Sequence, residues 1–334
     1  MTDSSLVPAA IPTARGDTIS SDSLGFTLMH EHTFNLSPEI NQNYPETWGD
    51  EDQRIENAIA QYTELKAQGV DTIVDVTVIG LGRFIPRIKR IAEAVSLNII
   101  VATGVYTWQM LPMFFSVQGP GTPLGGPETM DDLFVRDIEE GIADTGVRAG
   151  ILKVATDKYG LTEGVERVLR ATASAHRRTG VPITTHTHDV PNGLEQQRVF
   201  EEEGVDLSRV VIGHCDLAAS HDLAYARALM DAGSFIGIDQ FGTPNLDDKA
   251  RISAIVALCQ EGYSDKIVVS HDHNCYCDMV PSAWFADMPS WRKTLIPTEI
   301  VPELLRQGVS ADDVEKLTRL NPRKVFGTTA LGKS

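Results

Sequence analysis

The chain has 334 residues, 42% hydrophobic and 22% charged, so it can bury a core, and it has no apolar run long enough to cross a bilayer. Its 46 acidic against 29 basic residues give a formal charge of -17, which argues against a nucleic-acid partner, since such partners need a basic face. Residues 1–22 lack the basic start and apolar core of a secretory signal, and four cysteines are too few for a disulfide framework, so a cytoplasmic location is expected.

After a polar lead-in over 1–22, residues 25–32 read as a strand. Alternation puts His30 and His32 on one face and Glu31 on the other, so two imidazoles converge. Ile55, Ala58, Ile59, Tyr62 and Leu65 then recur at helical spacing over 51–68, which Gly69 closes. The β-branched run 70–76 is a strand, 84–97 a helix, 99–104 a strand, and 128–145 a helix reached through a Gly/Pro-rich loop. Strand 150–155, helix 162–179, strand 181–186, helix 193–203 and strand 209–214 follow. Helix 218–232, strand 234–239, helix 247–261, strand 266–270 and a helix starting near 298 complete the series, with a short helix over 312–320 inside a tail at 310–334.

Eight strand–helix repeats imply parallel strands joined by crossovers, and in a chain of this length they close most naturally into a single (β/α)8 TIM barrel. An open doubly wound sheet is the alternative, but no Gly-X-Gly-X-X-Gly follows the first strand. No segment resembles an interdomain linker, so 1–334 reads as one domain.

Barrel enzymes build their sites at the C-terminal ends of the strands. There this sequence puts His30 and His32 (strand one), Lys153 (four), His186 (five), His214 (six) and Asp272 (eight), whereas His176 and His221 fall on helices. Singly, His186 and His214 could be hydrogen-bonded core histidines, Asp272 a turn cap and Lys153 a salt-bridge partner. Together, four histidines and an aspartate on one rim point to a metal centre. Cys275 and Cys277 have no second pair and read as loop thiols. His188 lies past its strand end and reads as loop, and alternation turns His273 away from Asp272.

His30-Glu31-His32, Ile151-Leu152-Lys153-Val154-Ala155-Thr156, Thr184-Thr185-His186-Thr187, Ile212-Gly213-His214-Cys215-Asp216 and Ser270-His271-Asp272 resemble, in order and spacing, the phosphotriesterase family of the amidohydrolase superfamily. The resemblance runs from Leu24-Gly25-Phe26-Thr27 to Asn321-Pro322-Arg323-Lys324-Val325-Phe326. It implies two divalent metal ions per chain, zinc first, with cobalt, manganese or iron accepting the same donors. By the resemblance His30, His32 and Asp272 hold the buried ion, His186 and His214 the exposed one, and Lys153, carboxylated by CO2, bridges both. A metal-bridging hydroxide would attack a carbonyl or phosphoryl centre, the exposed metal would polarise the oxygen under attack, and Asp272 would accept the proton. No organic cofactor is implied.

Gly104-Val105-Tyr106 and Ser270-His271-Asp272 resemble the phosphotriesterase-like lactonase branch, in which Tyr106 would lean over the metals as a catalytic hydroxyl. The chain departs from that branch at Asp239-Gln240-Phe241-Gly242, where a neutral amide replaces an arginine. The apolar stretches 105–115 and 276–291, with Tyr276, Met279, Trp284, Phe285, Met288 and Trp291 in the second, would form a hydrophobic slot, and 110–115 could also form a homodimer contact. The expected function is hydrolysis of small-molecule lactones or carboxylic esters with hydrophobic tails, N-acyl homoserine lactones among them, with no nucleic-acid or membrane partner. The alternatives are a phosphotriesterase and a non-catalytic metal-binding barrel.

Overall fold

The computed structural model describes residues 6–187, 192–281 and 288–329. Eight parallel strands form its centre: β1 (Thr27–Asn35), β2 (Thr72–Asp75), β3 (Asn98–Val105), β4 (Ile151–Ala155), β5 (Ile183–His186), β6 (Val210–Ile212), β7 (Phe235–Ile238) and β8 (Ile267–Val269). Each pairs with the next in the chain. A further stretch, β9 (Asn274–Cys277), continues beyond β8 and pairs with β1, Asn274 opposite His32 and Cys277 opposite Asn35. The eighth strand thus holds β7 with its first part and β1 with its second, which closes the ring as a (β/α)8 barrel. At the join Asp272 N–H donates to His30 O and His32 N–H to His273 O, both at 3.0 Å.

Helices α1 (Glu51–Ala67), α2 (Ile85–Ala94), α3 (Met130–Glu139), α4 (Glu163–Thr179), α5 (Gly193–Glu202), α6 (Leu223–Asp231), α7 (Asp248–Gln260) and α8 (Val301–Arg306) accompany the strands. Local chemistry sets their ends. The Asp50 carboxylate accepts from Gln53 N–H at 2.8 Å to start α1, and Gly180 in the left-handed region (φ 72°) ends α4. The helix expected over 218–232 is two helices, because Asp222 leaves helical geometry (φ -147°) and caps Ala224 N–H at 2.9 Å. Among the described residues no helix is long and apolar enough to cross a membrane.

Alternation along the strands makes two cores. The larger lies between strands and helices, and the smaller fills the ring with Val74, Ile100, Ile151, Val211, Phe235 and Val268. Ile11 and Phe326 join the inner cluster, so the lead-in and the terminal helix Asn321–Phe326 plug the ring near the strand starts. Two to four residues further along, the same inward face becomes polar: Ile151 is followed by Lys153, and Phe235 by Gly237 and then Asp239. Apolar packing below therefore holds the polar layer above.

Candidate metal centre

The six expected residues share the rim, and five of them form one cluster around Asp272. Its Oδ1 stands 3.3 Å from His32 Nε2 and 3.7 Å from His30 Nε2, and its Oδ2 stands 3.6 Å from His214 Nε2. Lys153 Nζ is 3.1 Å from His30 Nε2 and donates to Thr185 O at 3.1 Å. One atom each from His30, His214 and Asp272 lies within 4.8 Å of the others. Donors about 2.0–2.2 Å from a tetrahedral ion stand roughly 3.3–3.6 Å apart, so these side chains fit a divalent cation. His186 reaches the rim without joining that group. Its ring centre is 4.5 Å from that of His214, and its Nε2 is 3.2 Å from Asp157 Oδ2.

The backbone spends strain to aim two of these groups. His214 (φ 56°) and Asp272 (φ 54°) are two of only three non-glycine residues in the left-handed region among those described. Such a conformation costs on the order of 1–3 kcal/mol and persists where the surroundings over-determine it. Here both sit where a strand end turns into a loop.

Beneath the rim, Asp239 orients two rings at once. Its Oδ1 accepts from His214 Nδ1 at 2.7 Å and from His214 N–H at 2.9 Å, and its Oδ2 lies 3.2 Å from His30 Nδ1, off the line of a good hydrogen bond. His32 Nδ1 is held 2.8 Å from Thr77 Oγ1. With Nδ1 of His32 and His214 hydrogen-bonded and that of His30 facing Asp239, the Nε2 atoms of all three rings are turned to Asp272. Room for the Asp239 carboxylate comes from glycines: a Cβ on Gly237 would sit 2.3 Å from Asp239 Oδ2, and one on Gly213 would sit 3.2 Å from the same oxygen, besides meeting Thr185 O at 2.3 Å.

Burial dominates the electrostatics. It presses His30 down to about 4, helped by Lys153, and His186 down to about 3, helped by His214, so both rings are neutral and able to ligate. Burial opposes charge on His214 too, but Asp239 and Asp272 outweigh it and raise that pKa. For Asp272 burial is overcome by His214 and His32, which hold the carboxyl well below its usual range. Lys153 falls to about 7 through burial, against the pull of Asp272 and Asp239, so much of it is free amine near neutrality. On the outer face, as alternation requires, Glu31 accepts from His271 Nδ1 at 2.9 Å and lies 3.3 Å from Lys293 Nζ.

A cavity of about 310 Å³ opens over the cluster, lined also by Asn35, Leu81, Tyr106, Trp108, Gln240, Asn274, Cys277, Met279, Val280 and Trp291. The Tyr106 hydroxyl accepts from Trp108 Nε1 at 2.8 Å and is 3.5 Å from His186 Nε2. The expected slot is only partly realised. Met110, Met113 and Phe114 face solvent, and Tyr276 packs on Trp48 at 5.0 Å with its hydroxyl donating to Thr47 O. Cys275 and Cys277 lie in β9, not a loop, and Cys277 lines the cavity. His273 is buried against Trp291, away from the cluster as expected. His188, Trp284 and Phe285 lie outside the described residues. Sequence reasoning missed Asp239, Thr77, Asn35 and Asn274 as site residues.

Comparison with known proteins gives the family and the fold. The model of the phosphotriesterase family matches residues 9–326. A phosphotriesterase homology protein of Mycobacterium tuberculosis is 55% identical over 317 residues, which cover 94% of this chain and 96% of that protein. An aryldialkylphosphatase of Saccharolobus solfataricus is 38% identical over 321 residues, covering 95% and 99%. The solved structure of the phosphotriesterase from Mycobacterium tuberculosis superposes with a TM-score of 0.93 at 54% identity, covering 95% of this chain and 98% of that one.

Proposed function

The chain belongs to the phosphotriesterase family of metal-dependent hydrolases, and from that premise we propose that it hydrolyses lactones or carboxylic esters with hydrophobic tails. The observation that carries the reading is the group of donors spaced 3.3–3.7 Å about Asp272, with the Nδ1 atoms of His32 and His214 hydrogen-bonded from behind and that of His30 facing Asp239 Oδ2 at 3.2 Å. His30, His32 and Asp272 would hold a buried ion, and His186 and His214 an exposed one. His186 Nε2 is engaged by Asp157, so its ligand atom would be Nδ1. Lys153, carboxylated by CO2, would bridge the two, because a carbamate turns a buried amine into a bidentate anion. Zinc suits these donors, as do cobalt, manganese and iron. When bound, the two cations would acidify water and polarise the oxygen under attack.

The chain's own groups do the rest. Asp272 takes the proton at Oδ2, the oxygen 3.3 Å from Gln240 Nε2, whose amide is itself fixed by Asn245 Nδ2 donating to Oε1 at 2.8 Å. Tyr106 directs its hydroxyl toward the reacting ester. Leu81, Trp108, Met279, Val280 and Trp291 give an acyl tail an apolar wall. A planar carbonyl becoming tetrahedral needs one such slot, whereas a triester needs three distinct pockets around phosphorus, and phosphotriester hydrolysis is therefore the side activity. The reading takes 1–334 as one domain and the exposed Met110, Met113 and Phe114 as a homodimer contact, for which the expected sedimentation is that of twice the chain mass; a monomer at micromolar concentration removes that contact.

Metal analysis tests the centre. Purified protein should carry close to two divalent ions per chain and His186→Ala should lose mainly one; a single ion with all six residues intact would sink the two-ion reading.

A further inference from the structure

Behind the cavity wall lies a guanidinium that reaches Asp272 through two amides. Arg251, on α7, is fully buried and uses all five of its N–H groups: Nε on Asp216 Oδ1 at 2.8 Å, Nη1 on Leu246 O at 2.5 Å and Asp248 Oδ1 at 2.8 Å, and Nη2 on Thr243 Oγ1 at 2.8 Å and Asn245 Oδ1 at 2.6 Å. A guanidinium only donates, so the Asn245 atom that meets it has to be the carbonyl oxygen. That leaves Asn245 Nδ2 to donate to Gln240 Oε1 at 2.8 Å, and Gln240, its oxygen taken, to donate from Nε2 to Asp272 Oδ2 at 3.3 Å. At the other end an ionised carboxylate only accepts, so it too demands the NH2 of Gln240. The direction of both amides is therefore set twice, and the two settings agree. Gln240 is buried in the cavity wall, but Asn245 is exposed, where water serves either orientation of its amide equally well and the fixed cation distinguishes them.

We propose that Arg251 is a positioning residue for Asp272, acting through Asn245 and Gln240: it fixes both amides so that Gln240 meets Oδ2 with an N–H and never with its carbonyl. The carboxylate is thereby held with Oδ1 toward His32 Nε2, at 3.3 Å, and His30 Nε2, at 3.7 Å. The inference rests on reading Asp272 as a metal ligand. A Gln240 turned end for end would set its carbonyl oxygen against Oδ2, two acceptors with no hydrogen between them, and the carboxylate would swing away. The same guanidinium steadies the backbone that carries these groups, because Asp216, its partner at Nε, accepts from Asp239 N–H at 3.1 Å and from Gln240 N–H at 3.2 Å. Arg251 is thus too deeply built into the fold to be substituted cleanly. The test falls on Asn245, which is exposed and is linked to Asp272 through Gln240.

Asn245→Asp keeps a partner for Arg251 but gives Gln240 an acceptor where it had a donor, so the Gln240 amide reverses and turns Oε1 on Asp272. Asn245→Ala removes the link and leaves Gln240 free to donate. Competition between the full chain and a chromogenic chelator for zinc should therefore show Asn245→Asp weakening one ion roughly tenfold or more and Asn245→Ala weakening it less, with Gln240→Leu abolishing the difference between the two. A residue that merely supports the fold gives the opposite order, since aspartate preserves the Arg251 contact and alanine does not. That order, equal weakening, or no weakening in Asn245→Asp overturns the proposal. If the unmodified protein binds no ion, the reading of Asp272 as a ligand falls, and urea unfolding still decides the relay. Asp272→Asn can donate to a reversed Gln240, so the double variant Asn245→Asp/Asp272→Asn should have a higher urea midpoint than the two single shifts add up to, and Gln240→Leu should abolish that excess. Midpoint shifts that simply add would overturn the proposal.

Discussion

Replacing Asp239 by asparagine should weaken binding of a metal that Asp239 would not itself ligate. The carboxylate is 2.7 Å from His214 Nδ1 and faces His30 Nδ1 at 3.2 Å, so its charge favours the proton on Nδ1 of each ring, which leaves Nε2 bare for a metal. An amide of the same shape has one accepting atom and one donating atom. Whichever ring meets the NH2 must accept at Nδ1, which moves its proton to Nε2, the atom needed for ligation. Loss of such an orienting partner typically costs 10- to 100-fold in metal affinity, or about 1.4–2.7 kcal/mol. Titration of metal-free Asp239→Asn against a chromogenic chelator should show a weakening of that size in at least one of two binding steps, with the far-ultraviolet spectrum unchanged. Affinities equal to those of the unmodified protein in both steps would refute the reasoning.

Lys153→Ala should lose two-ion loading and at least about a hundredfold of the hydrolytic rate, with partial rescue by added formate or bicarbonate; no rescue and an unchanged metal content would return Lys153 to a salt-bridge role. Tyr106→Phe should lower ester hydrolysis roughly tenfold to a hundredfold, the loss expected for one positioned hydroxyl, and an unchanged rate would remove Tyr106 from the chemistry. Far from the centre, His176 donates from Nδ1 to Val181 O at 2.8 Å, and burial holds its pKa below the usual 6.5. A group with a depressed folded pKa contributes fully above its unfolded value and loses that contribution as pH falls toward the folded one. Urea unfolding should therefore show a fall in stability as pH drops below about 7 that is smaller in His176→Asn; equal falls would exclude His176 as a cause.

The barrel was legible because its signals are local and periodic: a β-branched run, then a helical spacing, eight times over. The six rim residues were legible because strand alternation and strand ends are readable in sequence, and the order of His30-Glu31-His32, Lys153, His186, His214 and Asp272 resembled one family. What was missed depends on pairing between distant segments. Asn35 shares no face with His32 by strict alternation, and only the packing of Phe34 on Trp48 turns it inward. Asn274 and the cysteines of β9 read as loop, since that strand exists by pairing with β1 more than two hundred residues away. Asp239 was visible as the end of strand seven, but its role needed Gly213 and Gly237 to clear a space beneath two rings from other strands. The aromatic loops misled in part, because composition marks Met110, Met113 and Phe114 as apolar without saying whether they face the cavity or solvent.

The most direct test of the central claim is a comparison of kcat/KM for lactones and aryl esters with hydrophobic tails against a paraoxon-like phosphotriester, made on metal-loaded protein of known ion content. The lactones or esters should be preferred, with the triester turned over only weakly. Preference for the triester by more than about tenfold, a difference of about 1.4 kcal/mol in transition-state stabilisation, would contradict the account and make the protein an organophosphate hydrolase.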